Sequence, residues 1–247
     1  MLTVKHLHFK VQDKEILSDV NASFSKGKIT AIVGPNGCGK STLMSFLCKA
    51  RQAQGTVFLE GRDVAEISAA EYAQRVAMMP QQREVMADLK VRDIVVMGRF
   101  PFKQRFQDYS KQDYELADKA MEDAGIRALA DRHIGQLSGG EIQRALIAKT
   151  FVQQPELILL DEPTNHLDVK YKVRLMRGLC AYGGTVVLVL HDLSLVVQYC
   201  DEVLVMAGGR PVCQGKAGEV MRPELLEQVF GVPFVRFEQA GRVYLNY

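Results

Sequence analysis

Apolar positions along this chain follow two rhythms. Between residues 2 and 33 they alternate, with Leu7, Phe9 and Val11 on one face and Gly27 as a turn before the next segment; alternation of this kind predicts an antiparallel β-layer. Three continuous runs, Lys28-Ile29-Thr30-Ala31-Ile32-Val33, Leu157-Ile158-Leu159-Leu160 and Thr185-Val186-Val187-Leu188-Val189-Leu190, predict strands covered on both faces, as in a parallel sheet. The last two runs end in polar residues, at the strand ends where open α/β sheets gather their ligands. Helical spacing appears over 42–48 and again from Ser110, where Ser110 and Asp113 stand in capping positions, Leu116, Ala120, Met121 and Ala124 form a stripe, and Gly125 stops it. A last amphipathic helix starts at Pro223, with Leu225, Leu226, Val229 and Phe230 as its packing face.

Composition narrows the picture. A chain of 247 residues that is 47% apolar can bury the core of one α/β domain. A net charge of +2 with no basic block gives no reason to expect a nucleic-acid surface. Cys38, Cys48, Cys180, Cys200 and Cys213 are odd in number, scattered, and form no C-x-x-C pair, which argues against disulfides or a zinc site and for a reducing compartment. No charged-then-apolar leader opens the sequence and the apolar runs are too short to cross a bilayer. A membrane partner is therefore expected to be another chain.

Chemistry concentrates in four places. Gly34-Pro35-Asn36-Gly37-Cys38-Gly39-Lys40-Ser41-Thr42 follows a predicted strand and opens a predicted helix, which is the setting of a phosphate loop of the Walker A pattern. Its glycines let backbone N–H groups wrap phosphate oxygens, Lys40 neutralises the β- and γ-phosphates, and the Ser41 hydroxyl ligates Mg²⁺; Cys38 reads as a small residue facing the loop. Asp161-Glu162 closes the second apolar run, so Asp161 is placed to hold Mg²⁺ through water and Glu162 to orient the attacking water. His191, at the end of the third run, can donate to the γ-phosphate. Gln81 follows Met78-Met79-Pro80, and its amide can reach Mg²⁺ or the attacking water; Gln82 beside it is an equal candidate. His6, His8, His133 and His166 receive no such role.

Leu137-Ser138-Gly139-Gly140-Glu141 reads as a capping box, Ser138 at the N-cap and Glu141 three residues on, launching a helix with Ile142, Ala145 and Leu146 inward. An ordinary capped helix fits that pattern equally. The two glycines also leave a bare helix start that can bind an anion, and since the chain already has one phosphate loop, the second would meet a nucleotide held by another copy in a symmetric head-to-tail dimer.

In this order and spacing the strings resemble the ATP-binding-cassette (ABC) ATPases along essentially the whole chain. The resemblance implies an α/β fold, a P-loop NTPase (RecA-like) core with an antiparallel β-layer and a helical signature subdomain. One nucleotide-binding domain then spans 1–247, core and β-layer over about 1–84 and 152–247, helical subdomain over about 85–151. It implies ATP and Mg²⁺ as cofactors, Gln81 in the Q-loop, Glu162 as catalytic base, His191 as switch histidine, Phe9 stacking on adenine, and Asp168 of Asn165-His166-Leu167-Asp168 closing the D-loop across the dimer. A finer resemblance, carried by Val91-Arg92-Asp93-Ile94-Val95-Val96-Met97-Gly98-Arg99-Phe100-Pro101, by Thr164 to Asp168 and by Leu226-Glu227-Gln228-Val229-Phe230-Gly231, is to importers of iron-siderophore complexes, haem and cobalamin. Glu141, where many ABC proteins carry Gln, favours that subgroup. The implied setting is the cytoplasmic face of the cell (inner) membrane, with two transmembrane permease subunits, an extracytoplasmic substrate-binding protein, and Arg99, Phe100 and Phe102 lining the groove that receives the permease. A soluble ABC ATPase of translation or DNA repair is the alternative, disfavoured by a single motif set without a long coiled coil or basic linker. A P-loop kinase or switch GTPase would lack the Leu137 to Glu141 string.

Overall fold

The computed structural model describes residues 1–80, 88–239 and 242–246. Strands β1 (Leu2–Val11) and β2 (Lys14–Phe24) form the expected antiparallel pair, with Leu2 opposite Phe24 and Val11 opposite Lys14. The ladder is irregular where His6 and Asp19 adopt φ of 46° and 48°. Leu7 is buried and Phe9 half-buried, but Val11 is 48% exposed. The shared face read from the alternation thus runs out before the strand does, because the end of β1 extends beyond the core it covers.

Strand β3 (Ile29–Val33) is buried at every position and leads through the phosphate-loop sequence into α1 (Lys40–Leu47). Strands β4 (Val57–Leu59) and β5 (Arg62–Asp63) complete the first sheet in the order β2-β1-β4-β5. Helix α2 (Ala69–Arg75), N-capped by the Ser68 hydroxyl, delivers the chain to β6 (Val76–Met79). Three helices follow, α3 (Val91–Val96), α4 (Lys111–Asp123) and α5 (Gly139–Val152). The chain then returns to β7 (Leu157–Asp161), α6 (Val169–Tyr182), β8 (Thr185–Val189), α7 (Leu193–Tyr199), and the antiparallel β9 (Glu202–Ala207) and β10 (Arg210–Lys216). Short α8 (Ala217–Val220), α9 (Pro223–Phe230) and the hairpin β11 (Val235–Gln239) and β12 (Arg242–Asn246) complete the described chain.

The second sheet has the order β10-β9-β3-β8-β7-β6, parallel except between β10 and β9. Its strands alternate between two cores. Ile32, Leu157, Leu159, Val187, Val189 and Leu204 face α1 and the first sheet, whereas Ala31, Ile158, Leu160, Val186, Leu188 and Val203 face α6, α7 and α9. Burial on both faces is why these strands read as unbroken apolar runs. Helices α3, α4 and α5 close around a third core of Val91, Val95, Ala117, Met121, Ala145 and Val152. Helix α5 belongs to both layers, since its Ile147 packs into the sheet's core.

The start of α4 is bolted to the segment before it. Asp113 reaches back to the Ser110 backbone N–H at 2.7 Å while Ser110 Oγ caps the Asp113 N–H, the full capping box. The same buried carboxylate pairs with Arg99 Nε at 3.3 Å and with Lys103 Nζ. Burial pushes the Asp113 carboxyl up, but Lys103, Ser110 and Arg99 together outweigh it and hold it well below the usual carboxylate range. A lowered folded pKa stabilises the fold above the unfolded value and ceases to do so as pH falls through the folded one. Asp113→Asn is therefore expected to lose about 2 kcal/mol at neutral pH, with the gap to wild type shrinking below about pH 4. Urea melts at pH 7 and at steps down to about pH 2 check this; an equal loss across the whole range would refute it.

Candidate functional site

The chemistry sits at the carboxyl edge of three adjacent strands. Ile32 of β3 pairs with Val189 of β8, and Val189 pairs with Asp161 of β7. Parallel register thus sets Gly34, Glu162 and His191, which follow these strands, on one edge of the sheet.

Gly34 has φ 154°, and a Cβ there would stand 2.1 Å from the Met206 carbonyl oxygen, so the loop leaves β3 by a path open only to glycine. Asn36 and Gly37 lie exposed at its crest with Pro35 half-buried, while Cys38, Gly39 and Lys40 turn inward. Lys40 Nζ donates to the carbonyls of Gly34 at 2.8 Å and Pro35 at 2.9 Å. The loop thereby encircles its ammonium. Helix α1 starts at Lys40, so the N–H groups of its first turn, including those of Ser41 and Thr42, have no partner within the helix and form an anion-binding end.

Cys38 turns into the inside of the loop, where its Sγ lies 3.9 Å from Lys40 Nζ and against Gly34. It is 5% exposed and packs into the core beneath the first sheet, and burial pushes its thiol up in spite of the nearby Lys40. Phe9 is likewise engaged: its ring meets Phe46 of α1 edge-on at 5.4 Å and carries the Arg51 guanidinium 4.7 Å above it.

Asp161 is 4% exposed and one of its oxygens, Oδ1, has no hydrogen-bond partner among the described residues. Burial raises its carboxyl, opposed by the Ser41 hydroxyl that bonds to it and reinforced by the charge of Glu162. A buried, unsatisfied carboxylate oxygen beside a serine hydroxyl suits a hard cation with oxygen ligands. Glu162 adopts φ 52°. Its Oε1 lies 2.8 Å from His191 Nε2 and its Oε2 accepts from Asn165 Nδ2 at 2.5 Å. This Glu162–His191 contact unites two residues that the sequence could place only one by one. Gln81 and Gln82 lie outside the described residues.

At the start of α5 the capping box is complete. Ser138 Oγ accepts from the Glu141 N–H at 3.4 Å, and the Glu141 carboxylate, held low chiefly by the Ser138 backbone N–H, accepts it at 2.8 Å. Gly140 is required by packing. A Cβ there would come 2.8 Å from the His166 carbonyl oxygen, and His166 also covers Gly139. Asp168 is exposed and caps α6 through the Tyr171 N–H at 3.0 Å. Arg99 points inward, to the Val152 and Gln153 carbonyls at 3.2 Å each. The exposed groups on that surface are Phe100 at 70%, Phe102 at 39% and Phe106 at 92%.

Sequence reasoning passed over Gln143, Asn165 and His166 as separate contributors. Gln143 is fully buried in α5 and donates to the Pro163 carbonyl at 2.7 Å, tying this helix to the turn after Glu162. Its signal was only its place two residues after Glu141. A cleft of about 540 Å³ separates α4 and α5 from α6; of the motif strings only Leu167 of Asn165 to Asp168 lines it.

Residues 17–165 match the family described as ABC transporter. The chain is 36% identical over 236 residues to the iron(3+)-hydroxamate import ATP-binding protein FhuC of Bacillus subtilis, covering 94% of this chain and 88% of that protein. It is 37% identical over 251 residues to the hemin import ATP-binding protein HmuV of Pseudomonas fluorescens, covering 98% and 97%. Among solved structures, a metal-chelate type ABC transporter in an inward-facing conformation superposes with a TM-score of 0.82 at 28% identity, over 99% of this chain and 95% of that one.

The buried site of Cys38 yields a testable order of reactivity. Maleimide at pH 7.5 is expected to label exposed Cys180 well before Cys38, with Cys38 modified only as the fold loosens in urea. Peptide mass spectrometry over time reads this directly, and early labelling of Cys38 would contradict its burial.

Proposed function

The chain belongs to the ABC transporter family of ATP-binding proteins, and from that premise we propose that it is the ATP-hydrolysing subunit of a bacterial importer of iron(III)-siderophore or related chelates, haem and cobalamin included. The observation that carries the chemistry is the pairing of Glu162 with His191 at 2.8 Å on the edge that also bears the phosphate loop. The cargo class rests on the import functions of the relatives.

On this reading ATP lays its phosphate chain along residues 34–42, and the Lys40 ammonium exchanges the Gly34 and Pro35 carbonyls for β- and γ-phosphate oxygens. Ser41 and Asp161, with Gln81, would hold Mg²⁺, which when bound neutralises charge on the transferring phosphoryl group. Glu162 orients the attacking water and takes its proton as the new bond to γ-phosphorus forms and the bond to the ADP oxygen breaks. His191, released from Glu162, donates to the γ-phosphate.

Residues 138–141 and Asp168 complete the site from a second copy. The start of α5, with its two glycines and the positive end of the helix dipole, is the end that would meet the incoming phosphate. Two copies then close on two ATP molecules. Helices α3, α4 and α5 move relative to the core across the cleft beside α6, and Phe100, Phe102 and Phe106 meet the permease. No helix among the described residues is long and apolar enough to cross a membrane, which fits a peripheral subunit on the cytoplasmic face that works with two permease chains and an extracytoplasmic binding protein.

Glu162→Gln keeps the shape of the site and removes the base. Turnover is expected to fall by roughly 10²- to 10⁴-fold while an ATP-bound dimer accumulates. Tagged Glu162→Gln protein drawn from its own membranes with ATP should bring down a polytopic permease and a substrate-binding lipoprotein. Ribosomes or DNA-processing proteins in their place would favour the soluble class, and normal hydrolysis would remove Glu162 from its role.

A further inference from the structure

The carboxylate on which this chemistry turns is held from several sides. Glu162 sits at φ 52°, a backbone region that a non-glycine residue occupies only when its surroundings impose it. The next residue, Pro163, is clamped through its carbonyl by Gln143 Nε2 at 2.7 Å, and Gln143 Oε1 is buried without a partner among the described residues. Three residues on, the Asn165 N–H returns to the Glu162 carbonyl at 3.3 Å and closes a turn. The Asn165 side chain then makes a second, shorter contact, Nδ2 to Glu162 Oε2 at 2.5 Å, while Oε1 faces His191 Nε2 at 2.8 Å.

We propose that Asn165 is a positioning residue for hydrolysis: its side-chain amide fixes one Glu162 oxygen so that the other is aimed at the strand edge where His191 and the attacking water meet. The inference rests on the reading of Glu162 as the base. An NH₂ group can only donate, so it anchors a carboxylate without competing for the proton of the water. The turn itself needs no amide, since its hydrogen bond is made by backbone atoms. A side chain that merely closed this turn would have no reason to reach Oε2. The strained backbone at Glu162 and the buried clamp on Pro163 fix where the carboxylate begins, and Asn165 fixes where it ends.

Asn165→Asp separates the two roles, because aspartate forms such turns as readily as asparagine but sets an acceptor against the Glu162 carboxylate. In the assembled transporter, Asn165→Ala is expected to lower kcat on the order of 10- to 100-fold with the KM for ATP changed less than about twofold, and Asn165→Asp to lower kcat further. Asp restoring activity relative to Ala would overturn the proposal in favour of a turn former. A thermal melt of the nucleotide-free protein gives a reading independent of activity. Asn165→Asp should lower Tm in the wild-type background and recover it in Glu162→Gln, where the new amide can donate to the introduced carboxylate. Equal losses in both backgrounds would overturn it. Hydrolysis surviving in Glu162→Gln would overturn the role of Glu162 and the positioning role with it; hydrolysis lost there yet unchanged in Asn165→Asp would overturn the positioning role alone.

Discussion

Three parallel strand ends, side by side and in register, are the constraint on which the rest of this molecule depends. Neighbouring strands lie about 4.8 Å apart, so β3, β8 and β7 deliver a glycine-rich loop, a histidine and two carboxylates to one short stretch of sheet edge. Hydrophobic burial on both faces is what keeps that edge straight and rigid: Ala31, Ile158 and Leu188 lean one way, Ile32, Leu159 and Val187 the other. A slip of one residue would exchange the two sets and would carry Gly34, Glu162 and His191 out of line with them.

The site is built from groups that share a few partners. Lys40 is held by the carbonyls of its own loop, and its hydrogen bonds to Gly34 and Pro35 keep a buried ammonium satisfied. Asp161 stands on the other side with an oxygen that has no partner among the described residues. Glu162 is placed by His191 and Asn165 together, while Gln143 links its turn to the helix that begins at Gly139. Because that helix also carries the Ser138 capping box and rests on His166, displacement of α5 cannot leave Glu162 undisturbed. The helical layer and the Glu162 turn are joined through the buried Gln143–Pro163 hydrogen bond and the close seat of Gly140 on His166.

Several side chains that the sequence placed on an element have partners that the sequence did not show. The aromatic Phe9 lies where the alternation put it, yet its ring is taken up by Phe46 and Arg51. Cys38 stands in the loop with its thiol buried beside Lys40, and Arg99, stacked on Phe102, also bolts Asp113 to the end of α5. In each case a long or apolar side chain could turn to either face, and neighbours distant in sequence decided which. Capping pairs behave differently. Ser110 with Asp113, and Ser138 with Glu141, are three residues apart, and their contacts follow from helix geometry alone.

By itself the sequence determined what depends on local spacing: the buried parallel strands, the helix starts, the phosphate loop between strand and helix, and the family whose motifs recur in this order. Only the tertiary structure decided the pairing of Glu162 with His191, 29 residues away, the grip of Asn165 on the same carboxylate, and the clamp of Gln143 on Pro163. The reason is physical. Periodicity and capping are properties of a few consecutive residues, whereas a hydrogen bond between two strand ends exists only after the sheet has chosen its strand order, and that order is set by the burial of the whole chain.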